Sequence, residues 1–133
     1  MPVRVQRSMI PTLMAVVAEA ADVGIRVQFS SGYRSLAEQR ALYATWVRKG
    51  KKGYTVAPPG RSLHNYGLAV DFTTVPRGLA SLRTVGRIAE RHGLRWGGRF
   101  DPPDPIHLDA GVPSGAAAGA AIGALGHLHP AAE

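Results

Sequence analysis

A carboxylate interrupts an apolar, strand-like run: Leu68-Ala69-Val70-Asp71-Phe72. An unpaired charge amid buried apolar residues is costly, so the fold must bring a cation or strong donors to Asp71. The 133-residue chain has no cysteine. That excludes a disulfide framework, thiolate zinc sites, iron–sulfur ligation and a cysteine nucleophile. A metal could be held only by histidines and carboxylates.

The spacing of the histidines narrows the options. His64 lies seven residues before Asp71. A straight strand would separate the two by about 23 Å, and a helix by about 10 Å. Both reach one ion only if the chain reverses between them, and Asn65-Tyr66-Gly67 is suitable turn chemistry. Taken alone, the pair fits a structural turn as well as a metal site. A third element is Asp101-Pro102-Pro103-Asp104-Pro105-Ile106-His107-Leu108-Asp109, with His107 on a short strand and Asp104 three residues earlier. His64, Asp71 and His107 together form a His-Asp-His set, and three protein ligands with an open fourth position is the catalytic zinc pattern. A nearby carboxylate outside the ligand set is what metal-assisted hydrolysis uses to deprotonate a water. His92 ends a basic helix, where a cation suits the dipole. His127 and His129 lie in an Ala/Gly-rich tail and are read as non-functional.

Periodicity supplies the scaffold. This length implies one domain. Leu13, Val16, Val17, Ala20 and Ala21 predict a helix near residues 10–23, with Pro11 at its start and Gly24 past its end. Ile25, Val27 and Phe29 alternate with polar residues, as in a half-buried strand. Ser35 to Glu38 is a capping box opening a helix to about residue 49, with Leu36, Tyr43, Trp46 and Val47 expected on its inner face. Residues 50–60 read as a loop and residues 67–72 as a strand. A third helix is expected over 79–92, with Leu82, Val85, Ile88 and Ala89 inward. Short strands are expected near 94–96 and 106–109.

Five segments then occur in order: Ser31-Gly32-Tyr33-Arg34-Ser35; Gln39, Leu42 and Tyr43; Ser62-x-His64-x-x-Gly67-x-Ala69-x-Asp71; Trp96-Gly97-Gly98; and Asp104-x-x-His107. This ordered set, over roughly residues 8–110, resembles the D-alanyl-D-alanine carboxypeptidase/VanY-type zinc peptidases. Within them it looks most like the L-alanyl-D-glutamate endopeptidases of phage endolysins and bacterial wall hydrolases. The resemblance implies Zn2+ bound by His64, Asp71 and His107, Asp104 as general base, and Arg34 holding substrate and stabilising the oxyanion. A fixed guanidinium facing developing negative charge is preorganised stabilisation. It also implies an α+β fold, a small antiparallel sheet flanked by helices, Hedgehog/DD-peptidase-like. Residues 1–110 would form the peptidase domain and residues 111–133 a flexible or partner-docking tail.

The departures concern the last motif. Many relatives carry an aromatic residue beside the last histidine and Glu two after it, where this chain has Ile106, Leu108 and Asp109. Asp109 is therefore a rival base, or an orienting partner on the same strand face as His107. Tyr33, Ser62, Tyr66 and Trp96 are candidates for substrate binding or for support of the ligands.

The implied activity is hydrolysis of a peptidoglycan stem-peptide bond, L-Ala-D-Glu or L-Ala-D-iso-Glu. D-Ala-D-Ala carboxypeptidase activity and a zinc-stabilised structural or binding component of a phage particle are the alternatives. Charge bears on partners. All 16 Lys and Arg lie in residues 1–100 against five acids, whereas residues 101–133 hold four acids and no Lys or Arg. Such a basic body favours polyanionic surroundings, here anionic wall polymers over nucleic acid. No apolar run approaches the roughly 20 residues of a membrane span. Arg4, Arg7 and Ala18-Glu19-Ala20 imitate a signal peptide, but the amphipathic stripe favours a helix. The expected location is cytoplasmic before phage-type release, or virion-associated, with action at the wall. The tail is expected to be able to dock a phage or cell-wall assembly partner.

Overall fold

The computed structural model describes residues 3–112 and 128–130. The chain starts with a strand that periodicity did not foresee, β1 (Arg4–Gln6), in which Val5 and Gln6 are wholly buried. After a 3-10 turn at Arg7–Met9 comes α1 (Ile10–Asp22), burying Leu13, Val16 and Ala20. Gly24, at φ 81°, turns the chain into β2 (Arg26–Ser31). There Val27 and Phe29 are buried while Arg26, Gln28 and Ser30 face out.

The expected capping box forms at the start of α2 (Leu36–Arg48). Glu38 N–H donates to Ser35 Oγ, and Ser35 N–H donates to the Glu38 carboxylate, each at 3.1 Å. The inner face expected for this helix is corrected. Leu36 and Val47 are 53% and 42% exposed, Tyr43 and Trp46 are half-buried, and Gln39 is the helix's buried residue. The stripe is real, but the sheet is covered by other helices, so α2 leaves it open.

Next come β3 (Ala69–Val75), α3 (Leu79–Arg91), β4 (Arg95–Trp96) and β5 (His107–Asp109). The four-stranded sheet has the order β2-β3-β5-β4, with every neighbouring pair antiparallel. This is the α+β architecture expected. A separate two-stranded pair joins β1 to β6 (Leu128–Pro130), with Val5 opposite His129. Part of the expected tail thus lies against the N-terminal strand. Residues 113–127 and 131–133, including the apolar run, lie outside the described residues.

The two-residue period divides the sheet by chemistry. Val27, Phe29, Val70, Phe72, Trp96 and Leu108 are buried with Leu13, Val16, Val85 and Ile88 of α1 and α3. The alternate positions carry Asp71, His107, Asp109 and Arg95. Asp71 pairs in register with His107, and Asp109 with both Ala69 and Arg95. The carboxylate in the apolar run therefore points away from the core, with its side chain 18% exposed.

Trp96 locks these layers together. Its ring fills the space that Cβ atoms at Gly86 of α3 and at Gly98 would need, and its indole N–H donates to Pro105 O at 2.8 Å. Gly86→Ala should push the ring off this position and destabilise the fold by about 1–3 kcal/mol, the usual cost of overpacking. Urea denaturation checks this, and an unchanged midpoint would contradict the packing described.

Candidate metal centre

His64 lies in the 3-10 turn Leu63–Tyr66, where Ser62 Oγ accepts from the His64 backbone N–H at 3.2 Å. Gly67, left-handed at φ 70°, ends the turn and reverses the chain into β3. Here only glycine avoids strain. His64 Nδ1 lies 2.8 Å from Gly32 O, so that nitrogen carries the proton. Its Nε2 is left 3.4 Å from Asp71 Oδ1. Gly32 is held by β1: Tyr33 N–H donates to Arg4 O at 2.7 Å, and a Cβ on Gly32 would strike Arg4 and Val3.

His107 shows the complementary arrangement. Its Nε2 is 2.7 Å from Asp109 Oδ2, and its Nδ1 faces Asp71 Oδ1 at 3.7 Å. Each imidazole thus gives one nitrogen to an outer partner and turns the other toward the same carboxylate. One donor atom from each of His64, Asp71 and His107 lies within 4.8 Å of the others. The set fits a divalent zinc-type ion, for which such outer hydrogen bonds fix the tautomers of the ligands. The electrostatics agree. Burial pushes the Asp71 carboxyl up, but hydrogen bonds and charge from His107 and His64 outweigh it and hold the group well below the usual range. Burial lowers His107, yet Asp109 and Asp71 raise it to about 9. A bound cation would take the place of that proton.

Asp104 stands beside this cluster and outside it. Its backbone N–H donates to Gly97 O at 2.7 Å, its carbonyl accepts from His107 N–H at 3.1 Å, and no Cβ fits at Gly97 against Asp104 O and His107. Burial raises its carboxyl, and so does the charge of Asp71, against smaller opposing effects of His107 and His64. A raised carboxyl suits a group that must take and return a proton near neutral pH. Asp109 is differently placed. It is wholly buried and accepts hydrogen bonds from Arg95, His107 and the Gly111 N–H. Those bonds place it on the side of the His107 ring opposite Asp71. Asp101 is exposed.

Arg34 approaches from the other side, with Nη2 3.9 Å from Asp71 Oδ2 and 3.4 Å from Ser31 Oγ. Sequence reasoning gave Gln39 no role, yet it holds this guanidinium. Gln39 Oε1 accepts from Arg34 Nη1 at 3.0 Å, and its Nε2 donates to Ala57 O at 2.7 Å. A polar residue on the covered side of an otherwise open helix was the available signal. Asn65 was expected only as turn chemistry. Its Nδ2 donates to Arg34 O, and its Oδ1 accepts from Gly60 N–H. A groove of about 520 Å³ runs from Arg34 along Leu42, Trp46 and Val56, which gives the open stripe of α2 a place beside the site. Tyr33 is 38% exposed. Tyr66 donates its hydroxyl to Gly60 O at 2.7 Å. Trp96 is buried under the segment that leads to His107.

The family model described as D-alanyl-D-alanine carboxypeptidase, VanY, matches residues 2–96. The chain belongs to this family. The match carries Arg34, His64 and Asp71 and stops at Trp96, so the pairing of β5 with β3 is what adds His107. Among VanY relatives, the chain is 35% identical over 99 residues to the peptidoglycan L-alanyl-D-glutamate endopeptidase CwlK of Bacillus subtilis (strain 168). The aligned part is 63% of this chain and 59% of CwlK, so the chain spans about three-fifths of that relative. Three solved structures are each 26% identical to it. The D,D-pentapeptidase VanY of a VanB-type resistance cassette, in complex with Zn(II), gives a TM-score of 0.68 over 82% of this chain and 74% of that one. VanYB in complex with D-alanine-D-alanine gives 0.67 over 93% and 79%. The Serratia marcescens L-Ala D-Glu endopeptidase ChiX gives 0.52 over 74% and 77%.

Proposed function

We propose that this VanY-family chain is a zinc-dependent peptidoglycan peptidase that hydrolyses the L-Ala-D-Glu or L-Ala-D-iso-Glu bond of the stem peptide. The observation that carries the reading is the convergence of two imidazoles on Asp71 with Asp104 free beside them. His64 Nε2, an Asp71 oxygen and His107 Nδ1 would hold the ion. When bound, zinc supplies Lewis acidity, polarising a carbonyl and bringing a water's pKa to about 7.

The chain's own groups do the rest. Asp104 accepts the proton of the attacking water and returns it to the leaving amine. Arg34, braced by Gln39, offers its guanidinium to the carbonyl oxygen as negative charge develops there. The groove beside Arg34 takes the adjoining part of the peptide. CwlK and ChiX support the endopeptidase assignment. The VanYB complex favours a second reading, removal of a C-terminal D-Ala. In either case the protein acts at the bacterial wall, and the endolysin-like setting and docking of a wall or phage assembly through the tail belong to this proposal. Among the described residues no helix is long and apolar enough to cross a membrane.

Mass spectrometry of muropeptides digested with the zinc-loaded protein tests this. Free L-Ala ends on the lactyl side with new D-Glu amino termini are expected. Loss of only the terminal D-Ala would establish the second reading, and intact muropeptides would remove both.

A further inference from the structure

Arg95 lies outside the ligand set, and its role rests on the reading of the cluster as a zinc site. Arg95 lies on β4, opposite Asp109 in the strand register, with its side chain 52% exposed. Its Nε donates to both Asp109 oxygens at 3.0 and 3.1 Å, and its Nη2 to Oδ2 at 2.8 Å. Such a fork is far more directional than a surface charge pair. Asp109 passes the constraint on through its 2.7 Å bond with His107 Nε2.

A second route runs in parallel. The Arg95 guanidinium lies 5.0 Å from the centroid of the Phe100 ring, and that ring lies 5.4 Å from the His107 imidazole. Cation–π contact with Arg95 therefore steadies the aromatic wall of the same histidine. Asp109, Phe100 and His64 all lie close to the imidazole. Arg95 braces two of them.

We infer that Arg95 is a positioning residue of the metal centre, holding the His107 imidazole through Asp109 and Phe100 so that Nδ1 stays turned toward Asp71. Arg99 provides the internal control. It forms a similar fork with Glu90 of α3 and is 63% exposed, but among the described residues Glu90, unlike Asp109, makes no hydrogen bond to His107.

The test measures zinc affinity by competition with a chromophoric chelator, together with the visible spectrum of the Co(II)-loaded protein. Arg95→Met should weaken zinc binding about 10–100-fold, the range for loss of an outer-shell partner, and should alter the Co(II) spectrum. Arg95→Lys, which keeps the charge but not the fork, should recover part of the affinity. Arg99→Met should match the wild type. If Arg95→Met does not fold, Arg95→Lys carries the comparison. A folded Arg95 variant with wild-type affinity and spectrum overturns the inference, as does an equal loss in Arg99→Met. Wild-type protein that binds no zinc overturns the metal-site reading and this inference with it.

Discussion

Asp104→Asn is expected to lower kcat by about 10²–10⁴-fold, the usual worth of a positioned general acid–base group, while bound zinc stays at one per chain. The two readouts separate a base from a ligand. Asp104 is held by backbone bonds to Gly97 and His107 and carries no ligand atom of the cluster, so the amide should leave the centre intact. The pH profile adds a sign. The base works only when ionised, so kcat/KM falls as pH drops through its pKa. Burial raises that pKa, whereas a bound cation would offset the Asp71 charge that raises it further. That acid limb should be absent from the residual rate of Asp104→Asn. A variant with wild-type kcat would remove Asp104 from the mechanism.

The largest loss is expected from Asp71→Asn. This change keeps the shape of the side chain and removes the charge on which both imidazoles converge. Asp71 is the common partner of His64, His107 and Arg34. Zinc should be lost on desalting, with an affinity deficit exceeding the roughly 10–100-fold of an outer-shell partner. Muropeptide cleavage should disappear with it. Atomic absorption on the desalted protein decides the point: one zinc per chain in the variant would show that Asp71 is not a ligand.

The approach of His64 to Asp71 was legible because turn chemistry is local. Gly67 and the Ser62 cap are sequence features, and they help return His64 over Asp71. The α1 and α3 stripes were legible for a related reason, since both cover the sheet. Periodicity shows that a stripe exists, but it does not show which stripe acquires a partner, and α2 is the case where that difference matters. β1 was missed because three residues are too few to display a period of two. The side of the sheet on which Asp71 lies was also hidden, because it depends on long-range register. Arg95 acts through Asp109, fourteen residues away, and Gln39 anchors to the Ala57 carbonyl, and neither of these bonds leaves a pattern in the sequence.

The direct register pairing of Asp71 with His107 has a consequence for folding fidelity. Shifting β5 by one residue would exchange the faces of its side chains, sending His107 toward the apolar layer and Leu108 toward the carboxylate. Such a misaligned chain would lack a complete ligand set. Metal uptake would therefore act as a proofreading step, withdrawing correctly aligned chains from the folding ensemble and leaving misaligned ones empty.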